Sequence, residues 1–300
     1  MSERASATAN PVQRIALEKP ILTSLVLLAI AFFLKWIDTW VLRLDERLGE
    51  IILCKTLGFV LVIVFVWACG RKLQDIGLHG RQLGPGLFIG ILITAIGLVV
   101  SYGVEFVAQL PKQPVIQFAA IDPKGGVTGG FLFVLWMIFG NVINSFMEEG
   151  LFRGVMIRLF RVKLLFWWAN VLQAFLFGIW HLPWVLKWMQ TGRIEEQGGI
   201  AAAAFGQFMP MLLIGFVWGY FYLKTGSLWV GWVFHFLNNT VFNLLHITTV
   251  DGLDSGLSSI RGPVYMAVAL LSMLLVKVLA ERFRMPEVKP WGQWVVEEEV

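Results

Sequence analysis

The sequence predicts an all-α membrane bundle of about eight transmembrane helices, and three observations predict it. The 300 residues are 57% hydrophobic and only 15% charged, where a soluble domain carries about 25% charge. Mean hydropathy is +0.73, and apolar runs near the ~20 residues needed to cross a hydrocarbon core recur along the chain. Fourteen Trp fit the same environment, because indole rings favour the headgroup boundary. The formal charge of +4 is no nucleic-acid footprint, since Lys and Arg lie at the ends of apolar runs rather than along one face. The partners expected are therefore the lipid bilayer and whatever the bundle acts on, with no nucleic acid.

Taken in order, the chain opens with "MSERASATANPVQRIALEKP", polar and basic. That start resembles the n-region of a signal peptide, but the apolar run behind it is too long and no small-residue cleavage site follows. Residues 1–19 therefore read as a cytoplasmic segment ahead of a retained first span. Spans are expected at 21–42, 51–69, 84–109, 129–152, 164–188, 200–222, 228–248 and 263–281. Breakers fall between them: "LGPG", "LPKQP", "DPKGG", "EEQGG" and "KTGS". Residues 20–284 form one integral membrane domain on this reading, with a solvated or interfacial tail at 285–300.

Cys54 and Cys69 share the second span, 15 residues apart. At helical rise that is about 22 Å, too far to bridge, so both read as small hydrophobes. Outside the spans, thirteen Lys and Arg fall on the side of the termini and seven on the other. That bias places both termini in the cytoplasm of an inner or plasma membrane.

The fourth span runs from Phe131 to Arg161 without a Pro, about 45 Å of helix, longer than the bilayer core. It contains "NSFMEEGLFRGVMIR". Glu149 and Arg153 are spaced i, i+4 with the acid first, which lets them pair on one face. Glu148 points about 100° away, on a polar seam with Asn141, Asn144 and Ser145. A structural ion-pair site is the plain alternative. An intramembrane carboxylate facing a bundle interior is nevertheless a functional candidate by default, and burial suits it to general acid–base work. Gly150 and Gly154 form a small-xxx-small pattern that points to close helix packing.

Four histidines exist. His79 lies in the "GLHGR" loop and His246 in "NLLHITT", where an interhelical hydrogen bond is the simplest role. His181, in "FGIWHLP", follows Glu148 by 33 residues, with a turn at "RVKLL" near the midpoint. An antiparallel hairpin folded there brings both to one depth, and Pro183 loosens the helix beside it. His235 lies on the seventh span with Asn239 four residues on, along the same face. One acid, two imidazoles and one amide suit a metal site or a water-activating site.

At these residues a resemblance enters. "EEGLFR" resembles the EExxxR motif of the CPBP family of intramembrane proteases, "FGIWH" its FxxxH motif and "HFLNN" its HxxxN motif. This is the CAAX protease and bacteriocin-processing (Abi) family, which includes the type II CAAX prenyl endopeptidases, and the resemblance covers roughly residues 75–250. It implies an endopeptidase acting on a membrane-associated peptide or protein, a prenylated C-a-a-X tail being one such substrate. Glu148 would activate water and His181 would orient it or hold a metal. His235 and Asn239 would stabilise the oxyanion, with Glu149 and Arg153 as braces. Zn²⁺ held by Glu148, His181 and His235 is one version of the site; a metal-free Glu/His site is the other. Readings from other classes are a proton-coupled carrier and a non-catalytic scaffold or bacteriocin-immunity protein with the same fold. Against the carrier, no inverted repeat or pair of interrupted helices stands out.

Overall fold

A computed structural model describes residues 10–121 and 128–291. Arg4 and Lys124 of the charge count, the "DPKGG" connector and the last nine residues of the tail lie outside the described residues.

The first element is a short helix, α1 (Pro11–Glu18), inside the segment read as a cytoplasmic lead-in to the first span. Asn10 caps it by accepting from Gln13 N, and Ala16 and Leu17 are buried, so this segment is docked rather than free. Helix α2 (Pro20–Trp36) continues as a π-helical stretch over Ile37–Leu42, and a short α3 (Leu44–Leu48) follows. Then come α4 (Ile52–Ala68) and α5 (Leu83–Ala108). Helix α6 (Phe131–Glu148) runs on through a π segment, Glu149–Ile157, into α7 (Arg158–Phe160). After the turn come α8 (Phe166–His181), α9 (Pro183–Gln190), α10 (Gly199–Thr225), α11 (Leu228–Leu244) and α12 (Gly262–Arg282).

This is the expected all-α bundle. Among the described residues, six helices are long and apolar enough to cross a membrane, with Ile52–Ala68 a shorter apolar one. Adding the 17-residue α11 gives eight helices at the eight expected places. One end of the bundle gathers the described chain termini: Asn10 donates to Ala68 O, Trp291 N to Arg158 O and Val288 N to Leu223 O. The tail is thus strapped to the ends of the helices as far as Trp291, which is buried.

The opposite end carries strands, and here the sequence reading needs correction. The seventh helix, expected through residue 248, stops at Leu244. "LHITT" becomes strand β4 (Leu245–Thr249), paired antiparallel to β1 (Val115–Phe118) with Gln117 opposite His246. Both stretches are rich in β-branched and aromatic side chains, which fit a pleated surface better than a helix. Strand β5 (Gly252–Leu253) extends this sheet, and β2 (Ala120–Ile121) pairs with β3 (Thr128–Gly129) beside it. His246 therefore makes no contact from a helix. Its Nδ1 meets Asp254 Oδ2 at 2.6 Å and its Nε2 meets Ala119 O at 3.1 Å.

The largest core cluster joins α2, α4, α5, the π segment, α8, α10 and α11, and it surrounds the charged helix. Close approach is allowed where small residues were expected to allow it. A Cβ on Gly154 would sit 3.2 Å from Ile76 and Leu228, and one on Gly150 3.2 Å from Val62.

Candidate active site

The charged helix is buried where its charges begin. Asn141, Asn144, Ser145 and Glu148 are all buried, and Glu149 and Arg153 almost completely so. Along the seam, Asn141 donates to Thr240 Oγ1 of α11 at 3.3 Å, and Ser145 to Asn141 O at 2.8 Å. The π segment starts at Glu149, directly after Glu148. Such wide turns are costly and cluster at functional sites.

Glu149 and Arg153 pair as expected, with Nη1 3.2 Å from Oε1. The contact lies off hydrogen-bonding angles, so Nη1 counts among the buried atoms without a hydrogen-bond partner. Arg153 Nη2 donates to Gly215 O at 3.4 Å, and the guanidinium lies 4.2 Å from the Phe177 ring centroid. The cation is thereby held by one carboxylate, one carbonyl and an aromatic face.

The structure brings His235 between the two carboxylates. Its Nδ1 is 3.0 Å from Glu149 Oε1 and its Nε2 is 3.7 Å from Glu148 Oε2. A carboxylate only accepts, so Nδ1 carries the proton shared with Glu149, and Nε2 is the nitrogen turned toward Glu148. The ring stacks on Trp218 with centroids 4.3 Å apart and planes 27° from parallel. Gly231, one turn before His235, leaves the space that Glu149 occupies: a Cβ there would lie 2.7 Å from Glu149 Oε2. The sequence reading paired His235 with Asn239 and treated Glu149 as support for Arg153 alone. In the structure Glu149 also orients His235.

Helix α8 supplies the other wall. Trp180 Nε1 donates to Glu148 Oε1 at 2.9 Å, while Glu148 Oε2 has no hydrogen-bond partner among the described residues. His181 ends α8, and its Nδ1 donates to Phe177 O at 2.8 Å, which in the neutral ring leaves Nε2 as the acceptor nitrogen. It lies within electrostatic range of Glu148, as do His235 and Lys35. The hairpin register therefore holds, with the two helices meeting at the depth the turn predicts. Asn239 makes no hydrogen bond to either carboxylate among the described residues. It is only partly buried, and its Oδ1 accepts from Asn238 at 3.2 Å. His79 remains in its loop, where its carbonyl accepts from Trp229 Nε1 at 3.0 Å.

Residues 130–241 match the model of a protein family described as type II CAAX prenyl endopeptidase, Rce1-like. Those residues are similar to that family's domain. The match begins just before the charged helix and ends just past Asn239, so it contains every residue of the expected site and is narrower than the 75–250 stretch of the resemblance. Members of this family are membrane endopeptidases, and the match supports that activity for this chain. No curated protein and no solved structure matches the chain.

Among the described residues, no group of three or more His, Cys, Asp or Glu side chains is placed to hold an ion. As placed, the donor set does not form the three-residue cage that a catalytic zinc needs.

Two contributors escaped the sequence reading. Trp180 was signalled only by its place beside His181 in the motif. Trp218 carried no signal, because an aromatic residue on an apolar helix reads as core.

Proposed function

We propose that this protein is an intramembrane endopeptidase that hydrolyses a peptide bond of a membrane-associated substrate with water activated by Glu148. One observation carries the reading. Glu148 Oε2, buried and without a hydrogen-bond partner among the described residues, lies 3.7 Å from His235 Nε2. That is too long for a direct hydrogen bond, yet both atoms can bond one water at about 2.8 Å each. Glu148 takes the proton of that water as its oxygen attacks the carbonyl carbon. When the C–N bond breaks, the same carboxyl returns the proton to the departing amine.

His181, with Nδ1 fixed to Phe177 O, orients the water through its other nitrogen. His235, oriented by Glu149 through Nδ1, stabilises the oxyanion from its Nε2 side. Asn239 adds a second donor from one turn further along α11. Arg153 keeps Glu149 in place and balances its charge. Donors aimed at developing negative charge in a dry site are worth about 10²–10³ in rate each. The substrate class is a membrane-anchored peptide, with a prenylated C-a-a-X tail as the leading case. The protein lies in an inner or plasma membrane with both termini cytoplasmic.

The test uses purified protein in detergent and a fluorogenic peptide ending in farnesyl-cysteine, two aliphatic residues and a terminal residue, with and without a divalent-metal chelator. Cleavage is expected from wild type in both conditions and is lost in His235→Ala. Equal cleavage by His235→Ala overturns the assigned role, and chelator-sensitive cleavage overturns the metal-free route. A folded wild type that leaves the peptide intact but drives ion-coupled uptake in liposomes favours the carrier reading instead.

A further inference from the structure

Lys35 lies in the last turn of α2, about two-thirds of the way along the first apolar span, and is only 2% exposed. Ionisable residues at such depth are rare and mark function more often than packing. Its ammonium donates to Trp180 O at 2.7 Å and lies 4.1 Å from the centroid of the Trp180 indole. That carbonyl belongs to the last turn of α8, where the helix ends before Pro183 and carbonyls leave the helical ladder. The same indole donates Nε1–H to Glu148 Oε1. The result is a chain of ammonium, indole and carboxylate running from α2 to the charged helix. A cation over an indole face polarises the ring, and linked donors strengthen one another in a low-dielectric interior.

We infer that Lys35 is a positioning residue for the proposed hydrolysis. It pins Trp180 by ring face and backbone, so that the indole fixes Glu148 Oε1 and leaves Oε2 aimed at His235 Nε2. This rests on the reading of Glu148 as the base, and it adds a residue from outside the family-matched segment 130–241. The plainer role for Lys35 is a peg between α2 and α8. A peg acts on stability, whereas a positioning residue acts on turnover and on the environment of Trp180.

The experiment compares wild type, Lys35→Met and Lys35→Arg in detergent, with two readouts. The first is kcat and KM on the farnesylated peptide. The second is the fluorine resonance of Trp180 in protein labelled with 5-fluorotryptophan, assigned by its loss in Trp180→Phe. Lys35→Met should lower kcat about tenfold or more, the scale on which partners behind a reacting group act, with KM within about threefold. It should also move the Trp180 resonance, and Lys35→Arg should recover most of both. Wild-type kcat in Lys35→Met overturns the inference, as does an unmoved Trp180 resonance. If wild type cleaves no peptide, the endopeptidase reading fails on its own, and the fluorine signal alone decides whether Lys35 positions Trp180.

Discussion

At the scale of single residues, the site is defined by who holds whom. Glu149 lies between Arg153 and His235, and Gly231 leaves the room for it. Gly231→Ala should therefore force the Glu149 carboxylate aside. A crowded substitution of this kind costs about 1–3 kcal/mol, and an imidazole released from its acceptor loses its orientation. Cleavage is expected to fall at least tenfold with a modest drop in Tm, read by steady-state kinetics and a thermal scan; unchanged kcat would mean that Glu149 does not orient His235. The motif residues were legible from spacing, because a charged pair at i, i+4 and a hairpin of known length constrain position. The identity of their partners was not. Nothing in "EEGLFR" says that His235 reaches both carboxylates, since that depends on how α11 packs against the π segment. Lys35 drew no reading from the sequence, and its target on α8 is a tertiary fact.

At the scale of elements, the helices were legible and the strands were not. Hydropathy locates apolar runs yet does not separate a helix end from a short strand, so "LHITT" was absorbed into the seventh span. The cap that results carries a titratable pair outside the spans. The hydrogen bond with Asp254 outweighs burial and raises the His246 imidazole above its ordinary 6.5. Burial alone would raise the Asp254 carboxyl, but hydrogen bonds from His246 and Arg261 hold it below its ordinary 3.8. A raised imidazole stabilises the fold fully below 6.5 and loses that contribution as pH climbs through the raised value. A lowered carboxyl stabilises above 3.8 and loses its contribution as pH falls through the lowered value. The cap should thus be firmest between those two ordinary values and loosen in alkali. Hydrogen exchange over 245–254, corrected for intrinsic rates, should quicken from pH 6 to pH 9 in wild type and stay flat in His246→Gln. Equal pH dependence in both proteins would remove the pair from the account.

At the scale of the whole molecule, the proposed orientation rests on charge. Three counted cations are not at the surface: Arg158 bonds Tyr222, Lys187 pairs with Asp45 and Glu46, and Arg261 with Glu105 and Asp254. Setting aside Arg158 on one side and Lys187 and Arg261 on the other turns thirteen against seven into twelve against five, and the bias toward the end with the termini sharpens. A cysteine introduced at Lys72 should be labelled by an impermeant maleimide only from the cytoplasmic side, and one introduced at Asp251 only from the other; the reverse pattern would invert the topology. Eight helices, their order and the end that gathers the termini could be read in advance from run length and breakers. The sheet cap and the docked tail could not, because they rest on tertiary contacts such as β1 with β4 and Trp291 with Arg158.

The central claim is that one buried carboxylate activates the attacking water. It is tested most directly by Glu148→Gln, which preserves shape and the contact with Trp180 while removing the base. Measured on the farnesylated peptide at equal concentrations of folded protein, the variant should lose about 10²–10⁴ in kcat with Tm close to wild type. Cleavage by Glu148→Gln at the wild-type rate would contradict the account.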